Sequence, residues 1–384
     1  MEEPDSPMLN ESEQVRFASY AMRSADSRGR VYPQVHHQFR TVFQRDRDRI
    51  VHSVAFRRLQ YKTQVFVNFE GDHYRTRLTH TLEVAQIARS IARALSLNED
   101  LTETIALAHD LGHTPFGHSG ETVMNVLMEN YGGFEHNRQS LRVVDVLEKR
   151  YPDHPGLNLT YEVREGIIRH ESAYDSPEGS EWSDGQPTLE CQIVNAADEI
   201  AYNCHDLDDG LVSGLLDESD LESVKVWRVA CSESCSAFPD LDDDLRRADS
   251  VRHLIDRQVG DVVRTSLRNV EDAGVSSVAD VRSCDHPLIA FSDELITLNQ
   301  ELKAALLERL YQHYRLLRMA EKARRILTDL FEVYRSNPRQ LPRTTRLRAE
   351  TDGVEQAICD YIAGMTDRYA LREHKKLFDA LELV

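Results

Sequence analysis

No run in this 384-residue chain approaches the roughly 18–20 consecutive apolar residues that a membrane-spanning helix needs. The first residues, Met1-Glu-Glu-Pro-Asp-Ser6, are acidic and have no apolar h-region, so neither a membrane anchor nor a signal peptide is expected. Cysteine is sparse. The six, Cys191, Cys204, Cys231, Cys235, Cys284 and Cys359, are scattered, and no zinc-site spacing surrounds the close pair Cys231 and Cys235. Reduced, structural thiols in a cytoplasmic protein are the expectation. Positive charge is in the minority, 46 Lys and Arg against 65 Asp and Glu, a formal net charge of −19. That argues against nonspecific binding to nucleic acid or to an anionic membrane, since both need a basic field. It leaves room for an anionic small substrate, because exposed charges are screened beyond roughly 8–10 Å in physiological salt. There is no internal repeat, no low-complexity tract and no strand pattern of any length.

What is present is helical periodicity. Apolar content of 41 % and charged content of 29 % fit a globular chain with a large core. Apolar residues recurring at three and four predict an all-α fold. Helices are expected near Glu13–Arg23, Phe43–Ile50, His52–Tyr61, Thr79–Leu97 and Leu101–Asp110, from Ser119 or Gly120, and over His136–Lys149, Thr160–His170 and Thr188–His205. Asp249–Asp272, Ser292–Tyr334 and Val354–Leu383 follow, the last broken near Gly364. Residues 1–12 read as an acidic tail, Val65–Phe69 as an extended piece, and Ser172–Pro187 as an exposed loop. Asn98 reads as an N-cap, with Glu99 and Asp100 placed for the helix dipole. The prolines around Arg343, Arg346 and Arg348 suggest a basic loop. Residues 1–40 read as tail and helix, 41–210 as the functional core and 211–384 as helices packed on it, with no sharp boundary between them.

One stretch is unlike the rest: His109-Asp-Leu-Gly-His-Thr-Pro-Phe-Gly-His118 packs three imidazoles and a carboxylate into ten residues. Pro115 has no amide donor and disfavours helix at the residue before it, so the helix carrying His109 and Asp110 must break there. Grouping titratable residues beside such a break serves no packing purpose. With His80 and Asp198, the adjacent His109 and Asp110 make a mixed N/O donor set that suits Mn²⁺, Fe²⁺, Co²⁺, Ni²⁺ or Zn²⁺, and Mg²⁺ less naturally. Asp198 lies in the apolar run Ile193-Val-Asn-Ala-Ala-Asp-Glu-Ile200. Two readings stand for it, a ligand to a cation or a surface or capping carboxylate. Alone, His80 reads equally as a half-buried helix-start histidine.

Together these motifs resemble the HD-domain superfamily of metal-dependent phosphohydrolases, and more closely its deoxyguanosine-triphosphate triphosphohydrolase branch of the short bacterial type. The resemblance is carried by Phe43-Gln-Arg-Asp-Arg-Asp-Arg49, Phe56-Arg-Arg-Leu-Gln-Tyr-Lys-Thr-Gln-Val-Phe66, Arg77-Leu-Thr-His80, the run His109 to Glu121, Asp198-Glu-Ile-Ala-Tyr202 and Asp360-Tyr-Ile-Ala-Gly-Met-Thr-Asp-Arg-Tyr369. It implies a helical HD core with further C-terminal helices. By position it implies that His80, His109, Asp110 and Asp198 bind one divalent metal, with additional Mg²⁺ arriving on the nucleotide. His118, supported by Glu121, matches the catalytic pair. His113 and His136 match phosphate-pocket histidines, and Gln64 and Arg77 match residues near the sugar and α-phosphate. Tyr202 matches a tyrosine against the deoxyribose, and Asp206 a carboxylate on the 3′-hydroxyl. The implied reaction cleaves a deoxynucleoside triphosphate, dGTP or several dNTPs, to deoxynucleoside and tripolyphosphate. An HD-type 5′-nucleotidase, a signalling-nucleotide hydrolase and a non-catalytic nucleotide sensor are the alternatives. The resemblance also implies a homo-oligomer, hexamer or tetramer, and a nucleotide activator at a second site, for which Arg343–Arg348 is a candidate beside the plainer reading of a solvated loop.

Overall fold

The computed structural model describes residues 7–65, 74–170, 182 and 185–383, with side chains from Ser12 onward. Part of the acidic tail, most of the Val65–Phe69 piece and most of the Ser172–Pro187 loop lie outside those residues. The all-α expectation holds: among the described residues there is no strand, only three isolated bridges. In chain order the helices are α1 (Pro7–Arg16), α2 (Val42–Val51), α3 (Val54–Arg58), α4 (Arg77–Ala94), α5 (Glu99–Ala108), α6 (Gly117–Leu127), α7 (His136–Arg142), α8 (Tyr161–Ile168) and α9 (Leu189–Val212). After them come α10 (Lys225–Ala237), α11 (Asp243–Ala273), α12 (Val278–Arg282), α13 (Asp293–Ala305), α14 (Tyr314–Ser336), α15 (Arg343–Asp352), α16 (Val354–Ala363) and α17 (Asp367–Phe378).

The local signals explain most of these boundaries. Asn98 caps α5: its Oδ1 accepts from the amides of Asp100 at 3.1 Å and Leu101 at 3.2 Å. Asp242 caps α11 in the same way, through the Leu245 amide at 2.8 Å. The acid-rich segment at 242–244 is thus a helix start, and α11 begins six residues earlier than its apolar period suggests. Two other expectations are corrected. The segment Ser292–Tyr334 is not one helix, because a π-helical stretch at Leu306–Tyr311 and a turn at Gln312–His313 divide it. The break resets the helical phase: Leu302, Leu306 and Leu310 are fully buried while Leu317 is exposed. The basic segment after Pro342 is not a loop but the start of α15.

The chain forms two compact units, each assembled from separate stretches. The first contains Met1–Ile50, His80–Leu107 and Asn158–His313; the second contains Val51–Thr79, Ala108–Leu157 and Tyr314–Val384. In the first, α9 buries Ile193, Val194, Ala197, Ile200, Ala201, Cys204 and Leu207; α11 and α13 pack against it, and α10 packs on α11 and α13. Gly166 lets α8 lie directly on α5, since a Cβ there would fall 2.6 Å from Ile105 Cδ1. The second unit's core joins Phe116, Met124 and Phe134 to Leu327, Phe331 and Tyr334 of α14 and Ile358 and Ile362 of α16.

Glu190, in the first turn of α9, is a buried carboxyl of the first unit. Its Oε1 accepts from the amides of Met22 at 2.9 Å and Asn98 at 3.2 Å. Burial nevertheless dominates and pushes its pKa up to about 7. A raised carboxyl pKa gives stability that is full below the unfolded value of about 4.5 and is lost as pH rises through about 7. At 1.36 kcal/mol per pH unit, the loss is about 3 kcal/mol. Glu190→Gln is expected to flatten that slope, as read by urea unfolding between about pH 5.5 and about pH 8. An unchanged slope in the variant would reject the assignment.

Candidate active-site residues

The break after His109 and Asp110 is built as the sequence requires, and it is pinned from the C-terminal helices. Phe116 and Gly117 both take left-handed backbone angles, φ 65° and 59°, and α6 starts directly at Gly117. Phe116 is not glycine, so its conformation needs support. Its ring lies in the core, and its amide donates to Asp367 Oδ1 at 2.9 Å. The other oxygen of Asp367 accepts from the Thr63 amide at 2.8 Å. Lys62 Nζ donates to the carbonyls of His113 and, at 2.9 Å, Ala363. The motif from Asp360 to Tyr369 therefore works here as the clamp on this turn.

Gly112 is the closest packing point. Its amide donates to Ser140 Oγ at 2.8 Å, and that hydroxyl donates to the His109 carbonyl at 3.0 Å. A Cβ on residue 112 would fall 2.2 Å from Ser140 N and 2.3 Å from His136 O, both backbone atoms that cannot swing aside. Gly112→Ala is expected to destabilise the protein by about 3 kcal/mol and to lower kcat/KM by displacing α7 and His136. Unfolding and turnover measurements check both; wild-type values in the variant would refute the packing argument.

Within the second unit, Asp110 is a hub. Its Oδ2 pairs with Arg77 Nη1 at 2.9 Å, and its Oδ1 lies 3.0 Å from His113 Nε2 and 3.4 Å from His109 Nε2. Burial would raise its pKa, but Arg77, then His109 and His113, outweigh burial and hold it well below the carboxylate range. His113 goes the other way. Burial, then Arg77 and His136, hold its imidazole well below the ordinary value, so it is neutral. Arg77 is buried, yet its Nε and Nη2 have no hydrogen-bond partner, and neither does the buried Oε1 of Gln64. Both border Gly117: a Cβ there would sit 3.3 Å from the Gln64 carbonyl and 3.5 Å from Arg77 Nη2.

Glu121 stands among three imidazoles. Its Oε1 accepts from the His136 amide at 2.9 Å and from His136 Nδ1 at 3.0 Å. Its Oε2 is 3.7 Å from His113 Nδ1 and 4.0 Å from His118 Nδ1. The tightest partner of Glu121 is thus His136, which stacks on His113 with ring centres 3.9 Å apart. Burial raises the Glu121 pKa, but the His136 bond and the neighbouring imidazoles win and hold it well below the usual range. His118 is the most accessible member, its side chain 49 % exposed.

Within the first unit, α9 carries Asp198, Tyr202 and Asp206 at intervals of four, hence on one face. Asp206 lies inside this helix, not past its end as the sequence suggested. Asp198 Oδ1 lies 2.9 Å from His80 Nε2. Two residues here were missed. His170 Nε2 lies 3.3 Å from Asp198 Oδ2, and its Nδ1 is 2.8 Å from Asn195 Oδ1. Tyr311, at the end of the π-helical stretch, donates its hydroxyl to Asp206 and stacks on Tyr202 with ring centres 6.2 Å apart. Burial, then the Asp206 charge, raise the Tyr311 pKa well above its ordinary value, which keeps it a donor. A π-turn is a recurrent marker of function, but no spacing in the sequence announced this one.

The donor chemistry fits a divalent metal. Two ligand bonds of about 2.1 Å at 90–109° put their donor atoms about 3.0–3.4 Å apart. The pair His109–Asp110 in the second unit, at 3.4 Å, has that spacing, and the pair His80–Asp198 in the first, at 2.9 Å, falls just short of it. No described helix is long and apolar enough to cross a membrane.

Residues 77–203 match the HD domain, a metal-dependent phosphohydrolase fold, and residues 289–376 match a phosphohydrolase-associated domain. The chain is an HD-domain phosphohydrolase, a hydrolase by class. It is 54 % identical to the deoxyguanosinetriphosphate triphosphohydrolase-like protein of Geobacter metallireducens over 97 % of each chain, and 53 % identical to that of Geobacter sulfurreducens over the same share. The counterpart from Azoarcus sp. strain BH72 is 52 % identical over 96 % of this chain and 98 % of its own. The chain belongs to the deoxyguanosinetriphosphate triphosphohydrolase-like family.

Proposed function

We propose that this protein hydrolyses deoxynucleoside triphosphates at the α-phosphate, releasing a deoxynucleoside and tripolyphosphate. The observation that carries the reading is Arg77: a buried guanidinium with two nitrogens, Nε and Nη2, unsatisfied, beside a Gln64 oxygen in the same state. Leaving such groups unpaired costs about 1–3 kcal/mol each, more for a charged donor. A polyanionic substrate bearing sugar hydroxyls supplies both missing partners.

In this reading His80, His109, Asp110 and Asp198 hold one divalent ion. When bound, the ion supplies Lewis-acid neutralisation of phosphate charge and makes water more acidic. Arg77 holds the α-phosphate, and His113 and His136 line the pocket of the phosphate chain. His118, the accessible imidazole, gives a proton to the departing 5′-oxygen, with Glu121 steadying the histidines around it. In the first unit Asp206, oriented by Tyr311, accepts from the 3′-hydroxyl, and the Tyr202 ring leaves little room for a 2′-hydroxyl. The same proposal includes a homo-oligomer and a nucleotide activator, which light scattering with and without nucleotide tests.

The decisive assay offers each of the four dNTPs and GTP, singly and mixed, with Mn²⁺ or Mg²⁺, and separates products by anion exchange. Tripolyphosphate from dNTPs and little from GTP is expected. Orthophosphate or pyrophosphate as the product would move the reading to a nucleotidase, and no cleavage at all to a nucleotide sensor.

A further inference from the structure

A separate cavity of about 370 Å³ lies within the second unit. None of Arg77, His113, Glu121 or His136 lines it. Its wall carries four cations, Arg58, Lys62, Lys149 and Arg348, against two carboxylates, Glu148 and Asp360. Both carboxylates are already engaged. Asp360 takes a two-point pairing from Arg142, with distances of 2.8 to 3.0 Å, and a bond from Gln139 at 3.2 Å. Glu148 accepts from the Ala55 amide at 2.7 Å. The cations are less committed. Lys62 uses two of its N–H groups on carbonyls, and Arg58 gives Nη1 to the Gly364 carbonyl at 2.9 Å. This surplus of positive charge stands in a chain of net charge −19.

The adjoining helix start has the same sign. Pro342, Thr344 and Thr345 of the α15 N-terminus line the cavity. That end has no side-chain cap and no acid in its first turn, where Arg343 and Arg346 stand instead. Stability alone favours the reverse, an acid at a helix N-terminus. Cations gathered at a positive dipole end repel one another until an anion joins them.

We propose that this cavity binds a small phosphate-bearing anion between Arg58, Lys62, Lys149, Arg348 and the α15 N-terminus. The volume falls in the range of small-ligand sites. Two cations, Arg58 and Lys149, are exposed and Arg348 is half-buried, so the ligand can enter from solvent. Burial, then the charges of Arg58 and Arg77, lower the Lys62 pKa to about 7, and an anion beside it relieves that stress. Leu111 and Gly112 form part of the wall, and Lys62 reaches the His113 carbonyl. The cavity therefore backs onto the segment that carries the candidate catalytic histidines.

Inorganic pyrophosphate titrated into the full-length, metal-loaded protein by calorimetry tests this. Wild type is expected to bind about one equivalent more than the double variant Arg348→Glu, Lys149→Glu. Arg348→Gln, a milder change at a half-buried position, is expected to weaken that equivalent at least threefold, and Arg348→Lys to keep it. Arg228→Glu, on α10 in the first unit, controls for net charge and should match wild type. Equal stoichiometry in wild type and the double variant, or an equal loss in Arg228→Glu, overturns the proposal. The readout is binding, not turnover, so its failure is separable from failure of the proposed reaction.

Discussion

Asp110→Ala is expected to lower kcat/KM by about 10⁴-fold or more and to leave the purified protein with less than about a tenth of the wild-type metal content. Three groups depend on this carboxylate. It lies 2.9 Å from Arg77, 3.0 Å from His113 and 3.4 Å from His109. Removing it strips the buried Arg77 guanidinium of its carboxylate partner, and breaking a buried ion pair in this way costs about 3–5 kcal/mol. A drop in melting temperature should therefore accompany the loss of activity, which raises the question of whether the variant is simply unfolded. Asp110→Asn answers it. The amide keeps the shape and can still accept one bond from Arg77, so the fold should survive, as read by circular dichroism. It cannot supply the negative charge that the metal and Arg77 require. Retained activity with wild-type metal content in Asp110→Asn would remove this residue from the ligand set.

The features that were legible in the sequence are the ones made by neighbours in the chain. The break at Pro115–Gly117 follows from a missing amide donor and a left-handed turn, and both are visible as residue types. The cap at Asn98 follows from one side chain and two amides beside it. The grouping of His109, Asp110 and His113 is legible because the three are adjacent. The features that were missed are made by residues far apart. His170 meets Asp198 across 28 positions, and a single histidine at a helix end carries no mark of its partner. Tyr311 was hidden because Ser292–Tyr334 holds no Gly or Pro, so its apolar period looked continuous. The phase change that aims Tyr311 at Asp206 comes from a π-helical stretch that no residue type demands. Arg343–Arg348 misled for a different reason. Pro342 was taken as a loop signal, but proline is equally at home at a helix start, where no amide donor is needed.

His118→Ala is expected to lower kcat by about 10³-fold on a deoxynucleoside triphosphate while metal content and fold stay at wild-type levels. The family resemblance pairs His118 with Glu121, and the structure makes that pairing loose. The carboxylate is 4.0 Å from His118 but bonds both the amide and the ring of His136. Two roles for Glu121 follow, and they predict different results. If Glu121 acts through His118, then Glu121→Gln adds little to His118→Ala, because the two changes remove one function. If it acts by holding His136 against the phosphate chain, the losses multiply. The geometry favours the second outcome: Glu121→Gln should raise KM as well as lower kcat, and the double variant should be worse than either single one. The leaving group separates the proton donor from both effects. With p-nitrophenyl triphosphate the aryl oxide departs without a proton, so His118→Ala should recover to within about tenfold of wild type while Glu121→Gln stays impaired. An equal defect of His118→Ala on both substrates would show that this imidazole is not the acid, and would shift the role to His136, which the carboxylate holds at hydrogen-bond distance while His113 and His118 lie farther from it.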